Sequence, residues 1–288
     1  MKDWERTRKW LADMDDREIK LASHRGKFSS SVIENTSLAF LTAIGEGADI
    51  VEMDLDLTRD GILTGHHDRT MKRLFSHEGK IADYTWEEIR QMPLYNYLGE
   101  VNVTGLETFE EILRNLKGKT VMALDKCWDH WDAVYEELVK ADMVGQAIFK
   151  FPVWNQQAAK WASDHGDCMF IPMVKDAEYL KDVEMLRRKM PIVAVETVPQ
   201  SPEDSLFAED TFAWIKDRHM KVWCNSLSLA RRLVYGAGYD DLKSLACGGA
   251  AGWGVLAQKG VDIIQTDWPA EADTFLKTIH RRGHVSAV

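Results

Sequence analysis

Residues 121–151 read VMALDKCWDHWDAVYEELVKADMVGQAIFKF. An apolar run at 121–126 gives way to a stretch with helical spacing of its apolar residues, 131–141, and then to a second apolar run at 146–151. Strand, helix and strand in close succession form the unit that sets two strands parallel, because parallel neighbours need a crossover. Working outward, the same alternation predicts strands near 19–24, 50–55, 169–174, 193–198, 221–226 and 263–268, with helices at 38–46, 156–164, 177–188, 211–218 and 271–281. Eight strands alternating with helices predict an α/β fold, a parallel (β/α)8 TIM barrel in which closure leaves no exposed strand edge. An open doubly wound sheet fits less well, since no GxGxxG follows the first strand.

The 288 residues are read as a single domain, 1–288, without a linker rich in Ser, Gly or Pro and without a solenoid repeat. Two stretches exceed ordinary strand-to-helix spacing, 58–106 and 227–259, and insertions of that length carry function or cover a site. A net charge of −10 argues against a nucleic-acid or anionic-membrane binder and leaves room for a small anion held by particular residues or a metal. Cys127, Cys168, Cys224 and Cys247 form no CxxC pair, so they predict reduced core thiols rather than a zinc or redox site. The opening MKDWERTRKWLADMDDREIK lacks the apolar stretch of a signal peptide, and no segment approaches a membrane span. These features predict no stable membrane insertion and a cytoplasmic location, or a secreted or periplasmic one if a leader has been removed.

Active sites of such barrels form at the C-terminal ends of the strands. The expected ends carry His24-Arg25, Glu52 and Asp54, Asp125-Lys126, Lys150, Glu196, Asn225 and Asp267. Residues two apart on a strand share a side, so Glu52 and Asp54 project together into the mouth, and Asp125 joins them from the neighbouring strand. Three converging carboxylates raise one another's pKa unless a cation intervenes. Oxygen-only ligation favours one hard divalent cation, Mg2+ or Ca2+, over zinc. Asp56 lies beyond the expected strand end and is read as facing solvent or aiding the turn at Asp60-Gly61. His24 can pair with His66 or His67 for acid–base work, and a one-residue change of register swaps the latter two.

The motifs HRG at 24–26, ENT at 34–36, ExD as Glu52-Met53-Asp54, TxDG at 58–61 and HD as His67-Asp68 stand in order, followed by GKIADYTWEEI, GLETFEEIL and GVDIIQTDWP. Over nearly its whole length the chain resembles the glycerophosphodiester phosphodiesterases, barrels of the phospholipase C-like type. The resemblance implies that His24 and His67 serve as acid and base. It also implies that Glu52, Asp54 and a third acid bind the cation, and that Arg25 helps hold phosphate. The implied reaction cleaves a small-molecule glycerophosphodiester to glycerol 3-phosphate and an alcohol, with a cyclic phosphate as one possible first product.

The third strand departs from the family's usual ExK, since Asp125 is followed directly by Lys126, which strand alternation turns away from the mouth. Asp125 resembles the third ligand of the related sphingomyelinase D enzymes. Lys150 becomes the candidate for the displaced cation, and Trp223 of VWCNS a candidate to pack on a head group such as choline. Two alternatives stand beside this reading. One is lysophospholipase D-like or sphingomyelinase D-like cleavage of a choline phosphodiester through a cyclic phosphate, which an exposed apolar rim on 227–259 would favour. The other is a barrel that binds phosphorylated ligands without turnover.

Overall fold

The computed structural model describes residues 3–230 and 232–283. Strands β1 (Lys20–Ser23), β2 (Ile50–Leu57), β3 (Leu63–Gly65), β4 (Val121–Asp125), β5 (Ala147–Pro152), β6 (Met169–Val174), β7 (Ala194–Thr197), β8 (Lys221–Asn225) and β9 (Ile263–Thr266) lie in the order β1-β9-β8-β7-β6-β5-β4-β2-β3. β1 also pairs with β2, so eight parallel strands close on themselves, and β3 is an antiparallel hairpin extension of β2 beyond the ring. The expected TIM barrel is therefore the observed fold, and closure excludes the open sheet. All eight expected strands are present, and the hairpin strand is a further one inside the 58–106 insertion.

Helices cross between successive strands. α1 (Asp3–Ala12) precedes β1, α2 (Ser37–Gly45) joins β1 to β2, and α3 (Lys72–Phe75), α4 (Trp86–Ile89) and α5 (Phe109–Leu116) fall between β3 and β4. α6 (Trp131–Ala141), α7 (Gln156–Asp164), α8 (Leu180–Leu186) and α9 (Glu209–Lys216) follow β4 to β7 in turn. α10 (Asp241–Cys247) and α11 (Trp253–Lys259) separate β8 from β9, and α12 (Pro269–Thr278) follows β9. Several starts are written locally: Thr36 caps α2 by accepting from the Ala39 amide, and Thr108 and Glu111 form a reciprocal capping box on α5.

Two cores result. The inner one fills the barrel with Ala22, Ile50, Ala123, Ile148, Ile171 and Trp223, and Trp10 and Leu11 of α1 close its floor. The N-terminal stretch, read from sequence only for its lack of a leader, is thus a plug at the barrel's bottom, where the Lys221 ammonium donates to the Asp13 carbonyl at 2.7 Å. The outer core packs the helices on the strands. The insertion at 58–106 has a small core of its own, with Met71, Leu74, Phe75, Ile81, Ile89 and Leu94 around Ile33. In 227–259, α11 is the barrel's last crossover helix, so only the part before it is additional to the repeat. Cys127, Cys168 and Cys224 are buried as expected; Cys247 is exposed at the end of a surface helix, which corrects its placement in the core. Among the described residues no helix is long and apolar enough to cross a membrane.

Candidate active site

The first strand ends in a sharp turn. Arg25 and Gly26 both adopt left-handed backbone, with φ of 57° and 77°, and a Cβ on Gly26 would lie 2.6 Å from the Ala39 carbonyl carbon, so only glycine fits there. The turn sets His24 against β9: its Nδ1 lies 2.9 Å from Asp267 Oδ1. The Arg25 amide donates to Glu52 Oε2 at 3.0 Å, its guanidinium Nη1 donates to Glu34 Oε1 at 2.9 Å, and its Nε is 3.3 Å from Asp54 Oδ2. Asn35, also left-handed, exchanges two 3.0 Å hydrogen bonds with Asp54, one to its carboxylate and one from its amide. The ENT triplet is thus divided: Glu34 holds Arg25, Asn35 holds Asp54, and Thr36 starts α2.

The hairpin delivers the second histidine. His67 Nδ1 lies 2.7 Å from Asp68 Oδ1, and its Nε2 is in hydrogen-bonding contact with Lys126 Nζ. A carboxylate only accepts, so Asp68 keeps the proton on Nδ1 and leaves the Nε2 lone pair to the other side. Burial, the largest influence, lowers the His67 pKa below its ordinary value despite the nearby Asp54 and Asp68 carboxylates. His66 is buried elsewhere, with Nδ1 3.7 Å from Asp56 Oδ2 and neither ring nitrogen hydrogen-bonded. Asp56 lies within β2 rather than beyond its end, which corrects its expected place; its side chain is 30% exposed and stands 3.9 Å from His130 Nε2.

The expectation for Lys126 is corrected. Alternation holds only while the backbone stays extended; β4 ends at Asp125, Lys126 turns left-handed at φ 53°, and its ammonium comes to His67. Lys150 lies deeper, 1% exposed, 2.9 Å from both Asp125 Oδ2 and Glu196 Oε2. It neutralises acids in the barrel centre and presents no open face to a phosphate. Trp223 is corrected too: it is 0% exposed, lies under the Lys150 ammonium at 5.1 Å and donates from Nε1 to Asn225 Oδ1 at 2.9 Å, so no head group can pack on it.

Asp54 and Asp125 are register partners on adjacent strands, and Glu52 sits two residues below Asp54. Among the described residues, no three His, Cys, Asp or Glu side chains are gathered closely enough to hold a metal ion, which corrects the picture of three freely converging acids. Protein cations explain it: Arg25 is drawn to Asp54, and Lys150 draws Asp125. The donor chemistry nonetheless fits a hard cation, because all three groups supply carboxylate oxygen. Burial, then repulsion by Asp54, pushes the Glu52 carboxyl well above the usual carboxylate range, as expected of an acid short of positive charge. Asp125 goes the other way, since Lys150 outweighs the burial that would raise it.

Several participants carry no local sequence signal. Asp267 was visible only as a strand-end acid. Arg73 reaches Glu34 and Asp68, and the Tyr97 hydroxyl donates to Glu34 Oε2 at 2.5 Å, across 39 and 63 residues of chain.

A family model described as the glycerophosphoryl diester phosphodiesterase family matches residues 24–229. Among curated relatives, a glycerophosphodiester phosphodiesterase from Caldanaerobacter subterraneus subsp. tengcongensis is 36% identical over 129 residues, covering 41% of this chain and 50% of that one. Glycerophosphodiester phosphodiesterase 1 from Homo sapiens is 30% identical over 149 residues, covering 46% of this chain and 45% of that one. The matched stretches thus span half or less of these relatives. A glycerophosphoryl diester phosphodiesterase structure from Parabacteroides distasonis superposes with a TM-score of 0.78 at 22% identity, over 96% of this chain and 92% of that one. An Oleispira antarctica phosphodiesterase, solved with its product sn-glycerol-3-phosphate, gives 0.68 at 20% identity, over 92% and 99%. At such identities the structural likeness speaks to the shared barrel, and the family match to descent: the chain belongs to the glycerophosphoryl diester phosphodiesterase family.

Proposed function

We propose that this chain is a metal-dependent phosphodiesterase that cleaves small glycerophosphodiesters to glycerol 3-phosphate and an alcohol. The observation that carries the reading is the pair of imidazoles at the barrel mouth, each with a carboxylate at Nδ1: His24 with Asp267 at 2.9 Å and His67 with Asp68 at 2.7 Å. Held through Nδ1, each ring leaves Nε2 as its nitrogen for proton transfer, and at His67 that nitrogen meets the Lys126 ammonium. His67, with its pKa lowered by burial, is the base that accepts the proton of the nucleophile, either water or the substrate's own glycerol hydroxyl, whose cyclic phosphate water then opens to glycerol 3-phosphate. His24 is the acid that protonates the departing alkoxide, its ring held by Asp267. Held by Glu52, Asp54 and Asp125, a divalent cation, Mg2+ or Ca2+, would supply charge withdrawal from a non-bridging phosphate oxygen. Arg25, placed among these acids, and Lys126, beside His67, add positive charge for the phosphate. The product seen in the Oleispira antarctica neighbour supports a glycerol phosphate-sized ligand in a barrel of this shape.

A barrel that only binds phosphorylated ligands has no use for two oriented imidazoles. A second reading on the same residues, cleavage of a lysophospholipid, is favoured by exposed apolar side chains on both insertions: Leu98 and Val101 beside Tyr97, and Leu229 and Leu233 after β8. A panel of glycerophosphodiesters and lysophospholipids separates the two.

The test is release of glycerol 3-phosphate from glycerophosphocholine by purified protein with Mg2+ or Ca2+ and with EDTA. EDTA abolishes turnover, and H24A or H67A each lowers kcat by about 10²–10⁴-fold. Full activity in the H24A/H67A double variant rejects the mechanism.

A further inference from the structure

Besides His67, Asp68 and Tyr97, the 58–106 insertion brings Arg73 to the site. Arg73, on α3, donates from Nε to Asp68 Oδ2 at 2.6 Å, and from its two terminal nitrogens to Glu34 Oε2 at 2.7 Å and Glu34 Oε1 at 2.6 Å. Behind each carboxylate stands a group that faces the mouth. Asp68 Oδ1 is the partner of His67 Nδ1, and Glu34 Oε1 accepts from Arg25 Nη1. We propose that Arg73 is a positioning residue for the reaction: one guanidinium fixes both the tautomer of His67 and the orientation of Arg25.

Donor geometry and burial carry the assignment. A guanidinium presents its N–H groups in a rigid planar fork and can serve two carboxylates at once, which the single ammonium of a lysine cannot do in the same plane. Asp68, engaged at both oxygens, cannot rotate away from the imidazole. Glu34 is 1% exposed, and a carboxylate that deep survives ionised only with partners; Arg73, Arg25 and the Tyr97 hydroxyl supply them. Burial alone would raise its pKa, yet the hydrogen bonds and charges of Arg73 and Arg25 bring it down to about 2. The fork is itself anchored, because the next residues, Leu74 and Phe75, are buried in the insertion's own core with Met71, Ile81, Ile89 and Leu94. The folded part of the insertion after His67 and Asp68 is therefore tied to the chemistry through Arg73, which touches the supports of the proton-transferring and phosphate-facing groups rather than the substrate.

The inference rests on the functional reading above, so its test has one arm that needs no substrate. In protein with 15N-labelled histidine, the wild-type His67 signal is expected to show Nδ1 protonated and Nε2 bare, and R73Q to show a mixture of tautomers. In the assay, R73Q is expected to lower kcat roughly 10–100-fold, the scale of lost ligand-orienting partners, and to raise KM as Arg25 loosens. R73K is expected to fall between the two. R59Q is the control: Arg59 tethers the same insertion through Glu88 and the Asp83 carbonyl without touching the site, and it should keep wild-type values. On kcat, D68N/R73Q should be no worse than D68N, because both act through one contact. Wild-type tautomer, kcat and KM in folded R73Q, an equal loss in R59Q, or fully additive losses in the double variant would overturn the proposal. If R73Q does not fold, R73K decides, and wild-type behaviour there also overturns it. A wild-type protein inactive on every glycerophosphodiester sinks the functional reading while the tautomer arm still judges Arg73.

Discussion

At His67 a carboxylate and an ammonium meet opposite nitrogens of one ring, and the balance between them sets its proton affinity. Burial is the largest influence, Arg25 and Lys126 add to it, and Asp54 and Asp68 oppose it without winning, so the pKa is lowered. A base works only when unprotonated, so activity is lost as pH falls through this lowered value. The acid limb of kcat/KM is therefore expected below pH 6.5, the ordinary histidine value of about 6.5 being its upper bound. A pH–rate profile checks this; a limb above 6.5 would move the base role away from His67. The HD pair was legible in the sequence, but the lysine was not. Lys126 faces the site because one residue leaves the extended conformation, and periodicity carries no information once a strand has ended.

Elements were legible in proportion to their length and regularity. The expected helices at 131–141 and 156–164 are α6 and α7 to the residue, whereas 177–188 begins with a turn of 3-10 helix, Ala177–Tyr179, before α8. The hairpin strand β3 is only Leu63–Gly65, too short for alternation to show. α1 escaped because its purpose is tertiary: Trp10 and Leu11 are buried against the open floor of a barrel that a local reading cannot see. W10A should therefore cost about 3–5 kcal/mol, the usual range for emptying a buried tryptophan site. It should leave kcat of the folded protein unchanged, since the floor is at the opposite end from the catalytic strand ends. Urea denaturation with parallel assays tests both halves; a loss of kcat at unchanged stability would contradict this placement.

Across the whole molecule, the site is assembled from β1, the ENT loop, β2, β4, the 58–106 insertion and β9, and Glu34 is where several of these meet. Its pKa of about 2 lies below the ordinary glutamate value, so its contribution to stability is complete above about pH 4.5 and is lost as pH falls toward 2. That contribution is on the order of 3 kcal/mol. The melting temperature of wild type should drop through this window more steeply than that of E34Q, which has no proton to gain; parallel slopes would show that Glu34 is not the linked group. The sequence by itself determined the barrel, and it pointed to the two histidines and the acids of β2 and β4 as candidates at its strand ends. Apolar alternation and two-residue spacing are local consequences of backbone geometry, and they read without knowledge of the fold. Only the tertiary structure decided which cation stands where: Lys150 sunk between Asp125 and Glu196, Lys126 at His67, and Arg73 between Asp68 and Glu34. Charge pairing across tens of residues depends on distance and burial in space, and neither quantity is carried by the order of the residues along the chain.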